Sequence, residues 1–245
     1  MRTLTQAAAV ALACAAVTAG ADTTLVYGGG DGDFTVRLRP GELRIDDPGP
    51  TWQLYRAAED SIYTVDPEAK RYRRLDADAA RAIRRRLDKL RARIEARLAE
   101  LPEDKRAAAR AALADQVPGF DATAGDTRAE ATGAVSKVAG HKCREIEIRR
   151  DGKPQETLCV ADPGALGIPP AEFATVRGMF ELMETLLAGT GFENVGLPYL
   201  ALEGMPVRYR QDGTGARRTL RRVGHDRLSD LVFEIPPGYE AAARE

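Results

Sequence analysis

Phe34-Thr-Val-Arg-Leu-Arg-Pro-Gly-Glu-Leu-Arg-Ile-Asp46 is the stretch that decides the fold class. Phe34, Val36 and Leu38 alternate with Thr35, Arg37 and Arg39, a period of two that a half-buried strand requires and a helix cannot use. Pro40-Gly41 then turns the chain, and Leu43-Arg44-Ile45 resumes the alternation. Working outward, Trp52 and Leu54, then Ile62 to Val65, then Tyr72 to Leu75 continue the pattern. Turns fall at Ala58 to Asp60 and at Asp66-Pro67-Glu68. The spacing predicts an antiparallel meander.

The period then changes. From Ala79 to Leu101 the apolar positions are 79, 80, 83, 87, 90, 94, 98 and 101, the spacing of a helical stripe. Asp76 or Asp78 can cap its start, and Pro102 is placed to open a second helix through Ala114, so residues 77–115 read as a helical hairpin. This segment is basic: Lys70 to Glu100 holds twelve Lys or Arg against five Asp or Glu. Such an excess can attract an anionic lipid surface or an acidic partner. The stripe is narrow and lacks an aromatic anchor, so the expectation is a solvated helix packed on the sheet.

Residues 118–133 have the composition of a flexible loop. Pro169-Pro170 starts a third helix ending near Gly189 and Gly191, and strands are expected again at Val207 to Gln211, Ala216 to Val223 and Leu231 to Ile235. Strands, then helices, then strands, with no βαβ rhythm, predict one α+β domain over residues 22–245, built on an antiparallel sheet.

The N-terminus has a separate meaning. Arg2 is followed by an apolar run from Leu4 to Val17 and by the small residues Ala19, Gly20 and Ala21, the pattern of a secretory signal peptide cleaved before Asp22. Residues 1–21 are thus expected to be removed and the chain to reach the periplasm with no membrane span. Ala11-Leu12-Ala13-Cys14 suggests a lipoprotein box, but the apolar segment before it is short and the leucine is one place off. A cysteine inside a discarded leader is the reading taken.

At 245 residues the chain can bury a core without staples. Its 36 basic and 37 acidic side chains nearly cancel, which leaves no bulk attraction for nucleic acid. Two histidines and three cysteines exclude most metal chemistry, and no metal or other cofactor is expected. Ser61, Ser136 and Ser229 lie outside any nucleophile-elbow motif, and no zinc-protease, P-loop or dinucleotide motif occurs. Gly28 to Asp33 reads as a flexible loop near the mature N-terminus. No enzyme is expected.

Export leaves Cys143 and Cys159 in a compartment where disulfides persist. They flank Asp151-Gly152, a strong hairpin signal. A register centred on Asp151, with the three-residue loop Arg150-Asp151-Gly152, sets Cys143 directly opposite Cys159, within bridging distance. Alternation then puts the disulfide on the more polar face with Glu145 and Glu147, and Ile146 and Ile148 on the other. The spacing is not that of a redox motif, so a structural staple is expected.

The opening hairpin Thr35 to Asp46, the strand pair Ser61 to Tyr72, Val138-Ala-Gly-His-Lys-Cys143, Gly204-Met-Pro-Val-Arg208 and the ending Phe233-Glu-Ile-Pro-Pro-Gly-Tyr239 together resemble a family of bacterial exported proteins of unknown function. They are also similar to the wider superfamily of LolA-like and LolB-like lipoprotein carriers. The resemblance covers most of residues 25–240. It implies an incomplete, half-open β-barrel with helices on its concave face, an apolar cavity between them, and no catalytic residues. In those carriers the cavity receives acyl chains. The helical pair at 79–114 departs from the compact carrier pattern.

In the third helix, Phe173, Val176, Met179, Phe180, Met183, Leu186 and Leu187 form a broad apolar face. An ordinary helix-on-sheet core uses such residues, and so does the wall of an acyl pocket. With the resemblance, the expected ligand-binding residues are Trp52, Phe173, Val176, Met179, Phe180, Met183 and Leu187. The function expected is a periplasmic binding or carrier protein for an apolar ligand or lipoprotein segment, with a lipid or lipoprotein acyl chain as the expected partner. The alternative is a structural or interaction protein of the cell envelope that docks an envelope partner through the 77–115 arm.

Overall fold

The computed structural model describes residues 21–30, 32–116, 127–188, 190 and 197–242. The meander appears where the alternation places it: β2 (Gly32–Arg39), β3 (Glu42–Asp46), β4 (Trp52–Arg56), β5 (Ser61–Asp66) and β6 (Arg71–Leu75) pair in succession, all antiparallel. It is preceded by β1 (Thr23–Gly29) and followed by α1 (Ala77–Ala99) and α2 (Glu103–Gln116). Next come β7 (Thr127–Val138), β8 (His141–Arg150) and β9 (Lys153–Ala161), then α3 (Pro170–Leu187) and the short α4 (Leu197–Leu200). The described chain ends with β10 (Met205–Gln211), β11 (Arg217–Gly224) and β12 (Glu240–Ala241).

All twelve strands belong to one sheet, ordered β12-β6-β5-β4-β3-β2-β1-β11-β10-β9-β8-β7. Among the described residues only β12 and β6 run parallel. The sheet is not closed: β12 and β7 are its two ends. The fold is α+β, with α1 and α2 inserted between β6 and β7 and α3 and α4 between β9 and β10.

Three segments differ from expectation. In the segment expected as a flexible loop, Gly28 and Gly29 pair with Asp33 and Gly32 across the β1–β2 hairpin, Asp31 lies outside the described residues, and β1 lies mid-sheet between β2 and β11. Glycine is required at Gly29 because the neighbouring backbone is close: a β-carbon there would stand 2.8 Å from the Arg217 carbonyl oxygen. Within the stretch of loop composition, 118–126 lie outside the described residues, as do residues 1–20, while 127–133 belong to edge strand β7. Leu231 to Ile235 is no strand. Asp230–Phe233 forms a 3-10 turn, started by Ser229 Oγ accepting from the Leu231 amide at 3.3 Å, and its carbonyls are taken by arginine side chains rather than by a neighbouring strand.

Alternation sorts the meander onto two faces. Leu38, Leu43, Tyr55 and Ile62 are successive cross-strand partners, and they join one buried cluster with Val176 and Met179 of α3. Gly178 permits the close approach: a β-carbon there would lie 2.8 Å from the Tyr55 hydroxyl. The opposite face carries Trp52, Leu54, Tyr63 and Val65, covered by the C-terminal segment through Leu228, Val232, Phe233, Ile235 and Tyr239. Arginines bind this cover down. Arg39 donates to the Leu228 carbonyl at 3.1 Å, Arg44 to Val232 at 2.9 Å and Arg56 to Phe233 at 2.8 Å. Their guanidinium groups also lie over aromatic rings, Arg44 at 3.9 Å from Trp52 and Arg39 at 4.2 Å from Phe233.

Asp76 caps α1, accepting from the Ala79 amide at 2.9 Å. The helix is not packed along the sheet, as the stripe suggested. Ala80 and Leu98 are its only buried residues among those described, whereas Ile83 and Leu90 stay 38 % and 40 % exposed. Polar contacts add to that hold. Arg84 donates to the carbonyls of Leu186 and Ala188 at 3.2 and 3.3 Å, and Arg91 to that of Thr190 at 3.1 Å. These carbonyls sit at and just beyond the C-terminus of α3, where unpaired acceptors and the helix dipole both favour cations.

The Cys143–Cys159 disulfide is present, with Cα atoms 5.4 Å apart. Its register differs from the symmetric one: Cys143 pairs with Ala161 and Glu145 with Cys159, so the cysteines are diagonal rather than direct partners. The turn is the two-residue Asp151-Gly152, with φ of 51° and 74°, the left-handed pair that closes a tight hairpin. The extra residue sits at a bulge opposite Ile148 and Arg149, after Pro154, which has no amide to give the ladder. Ile146 and Ile148 do face away from the disulfide, in a second cluster with Leu158, Val160 and Leu202. The cysteines share their face with Glu145, yet they are 2 % and 0 % exposed and join the main core with Val138, Ala161, Leu166 and Met205.

Candidate functional site

α3 forms where the sequence places it because Pro169-Pro170 sets an extended residue before a helical start, and a 3.6-residue period of large apolar side chains follows. The structure divides the seven expected ligand-binding residues into three groups. Val176 and Met179 are buried against the sheet as ordinary core. Trp52 is on the wrong face: in β4 it alternates with Tyr55, so when Tyr55 meets α3, Trp52 points to the C-terminal segment and packs with Phe233. It cannot line a cavity under α3. Phe173, Phe180, Met183 and Leu187 remain half-buried along one side of the helix.

Phe173, Phe180 and Leu187 are spaced by seven residues, which stacks them on one helical ridge. Phe180 stacks on Tyr199 of α4, with ring centroids 5.1 Å apart and planes at 4°. Tyr199 packs with the second cluster of Ile146, Ile148, Leu158 and Val160, whereas Phe180 packs with the main core, so this stack joins two apolar regions. The Tyr199 hydroxyl donates to Glu156 Oε2 at 2.7 Å, and burial pushes its ionisation well above the usual tyrosine range. Sequence reasoning missed Tyr199. Its only signal was Leu197-Pro-Tyr-Leu200, a short apolar cluster with no measurable period.

A second missed residue is Glu172, in the first turn of α3, 1 % exposed. Burial pushes its carboxyl above the usual carboxylate range, and the Asp22 carboxylate pushes it further. The amide and hydroxyl of Thr23 lie within its electrostatic reach and favour the charged form. Even so, Glu172 Oε2 and Thr23 Oγ1 complete no hydrogen bond of good geometry. An acid at this position reads in sequence as an exposed partner of the helix dipole, so nothing announced its burial.

Elsewhere, a recess of about 320 Å³ is lined by Gly28, Gly29, Gly30, Arg217, Thr219 and Arg221, and Arg221 pairs with Asp33 at 3.1 Å. No large apolar side chain lines it, unlike the cavity expected under α3. Among the described residues no group of His, Cys, Asp or Glu is placed to hold a metal ion, and no helix is long and apolar enough to cross a membrane. No family model matches the chain, and comparison with curated proteins finds no match.

Proposed function

We propose that this chain is a periplasmic binding or carrier protein for an apolar ligand, a lipid or the acyl segment of a lipoprotein, held between α3 and an open LolA-like half-barrel. One observation carries the reading: the ridge of Phe173, Phe180 and Leu187, with Met183 beside it, is half-buried where Val176 and Met179 on the same helix are fully buried. Aromatic and methionine side chains at the margin of a packed core are the groups that repack around a flexible chain at least cost. The unclosed sheet supports it, since its open side gives a ligand a way in between sheet and helix.

Native mass spectrometry of the protein purified from the periplasm, with lipid extraction in parallel, tests the reading. Wild type should carry lipid; Phe180→Asp and Met183→Asp should lose it while retaining the wild-type circular dichroism spectrum. Protein that emerges without any lipid or apolar ligand would overturn the proposal. A second reading, an envelope interaction protein that docks through the α1–α2 arm, draws support from Ile83 and Leu90, large apolar side chains exposed a heptad apart on α1.

A further inference from the structure

Asp22 and Thr23 are buried at the point where the chain enters β1. The Asp22 carboxylate accepts from the Leu228 amide at 2.8 Å and from Arg39 at 3.2 Å. Arg39 is in turn engaged by Asp230 at 2.8 Å and Glu42 at 3.8 Å. Beside this network sits Glu172, a carboxyl in the core whose Oε2 lacks a partner. The charged group acting on it is Asp22, another acid, while the amide and hydroxyl of Thr23 favour its charged form. A carboxylate so placed is costly unless a cation joins it or it takes up a proton.

Such a cation has an obvious source. Ala19-Gly-Ala21 has the small residues of a leader-peptidase site, and the bond that would be cut, Ala21–Asp22, lies one residue before Thr23, whose amide faces Glu172. Hydrolysis adds one water: the leader departs with a carboxylate on Ala21, and Asp22 keeps an amine, which takes up a proton at neutral pH because α-amino groups titrate near 7.7–8.0. We propose that Glu172 is the built receptor for the Asp22 α-ammonium, so that removal of the leader completes a buried ion pair and locks β1 to the start of α3. This rests on reading residues 1–21 as a leader, and on nothing about the ligand.

The test is a cycle on purified protein. Chains beginning at Asp22 and chains retaining Ala21 are prepared with Glu172 and with Glu172→Gln, and their thermal unfolding is compared. In the Glu172 background the Asp22 form should melt higher by about 4 °C or more, the shift expected at this chain length from a pair that contributes strongly. With Glu172→Gln that advantage should vanish. An equal advantage in both backgrounds, or none in either, overturns the receptor. Should Glu172→Gln not accumulate, labelling rates decide: the Asp22 amine of the Glu172 protein should react with an amine-specific reagent at least tenfold more slowly than the Ala21 amine, and equal rates overturn the proposal. Intact mass of the periplasmic protein separates the two ideas. A mature chain starting anywhere but Asp22 defeats the leader reading and the receptor with it, whereas an Asp22 start with a flat cycle defeats the receptor alone.

Discussion

Phe233→Ala should destabilise the protein by about 3–5 kcal/mol, the range found when a buried phenylalanine is truncated and its surroundings relax only in part. Phe233 is 1 % exposed and central to the cluster that includes Trp52, Leu54, Tyr63 and Val65. Truncation opens a void against four sheet residues and removes the ring over which the Arg39 guanidinium lies. The backbone of residue 233 still accepts from Arg56, so the segment stays tethered while its anchor is lost. Urea unfolding monitored by Trp52, the lone tryptophan, reads the effect where it occurs. A loss below about 1 kcal/mol would show that the C-terminal segment is a loose cover rather than part of the core.

Cys159→Ala should cost about 2–5 kcal/mol under oxidising conditions. The staple spans 16 residues of sequence, and both cysteines are buried within the main core. Burial adds a kinetic expectation: a thiol reductant should leave the folded protein's bond intact and open it only on unfolding, because attack needs access to a sulfur. Thiol titration before and after denaturation checks this, and rapid reduction of the folded protein would contradict it. The diagonal register also gives the bond a positional role. It holds Cys143 to the partner of Glu145, so any two-residue slip of β9 along β8 must strain it.

Much of the architecture was legible in the residues, for reasons that also mark the limits. The strands from Phe34 to Leu75 could be read because one side of each is apolar and the other charged. The start of α1, narrowed to Asp76 or Asp78, and that of α3 at Pro170 could be read because caps and prolines act locally. β1 was hidden because its glycines carry no pattern, though they sit mid-sheet under arginines from β11. The hairpin about Asp151 was visible but its register was not, since the bulge after Pro154 is set by pairing with both neighbours. At the site, periodicity found the apolar face of α3, yet it could not tell that Trp52 serves the other side of the sheet. That depends on the parity of β4 relative to a helix more than a hundred residues away. Glu172 carried no local signal and Tyr199 only a short apolar cluster, because their roles exist only through tertiary neighbours.

The bulge in β7 has a consequence beyond this fold. β7 ends the sheet, so its outer row of amides and carbonyls is the kind of edge on which another chain's strand can grow. Its pairing with β8 breaks between Ala131 and Val135, with Gly133 at φ 82°. The break divides a twelve-residue border into two short runs that do not lie in one line. A recruited strand finds no continuous template, and fibre growth from this side is interrupted at its first step. Straightening the kink, by deleting Gly133 and Ala134, should therefore leave the core intact and produce thioflavin-positive aggregates at rising concentration.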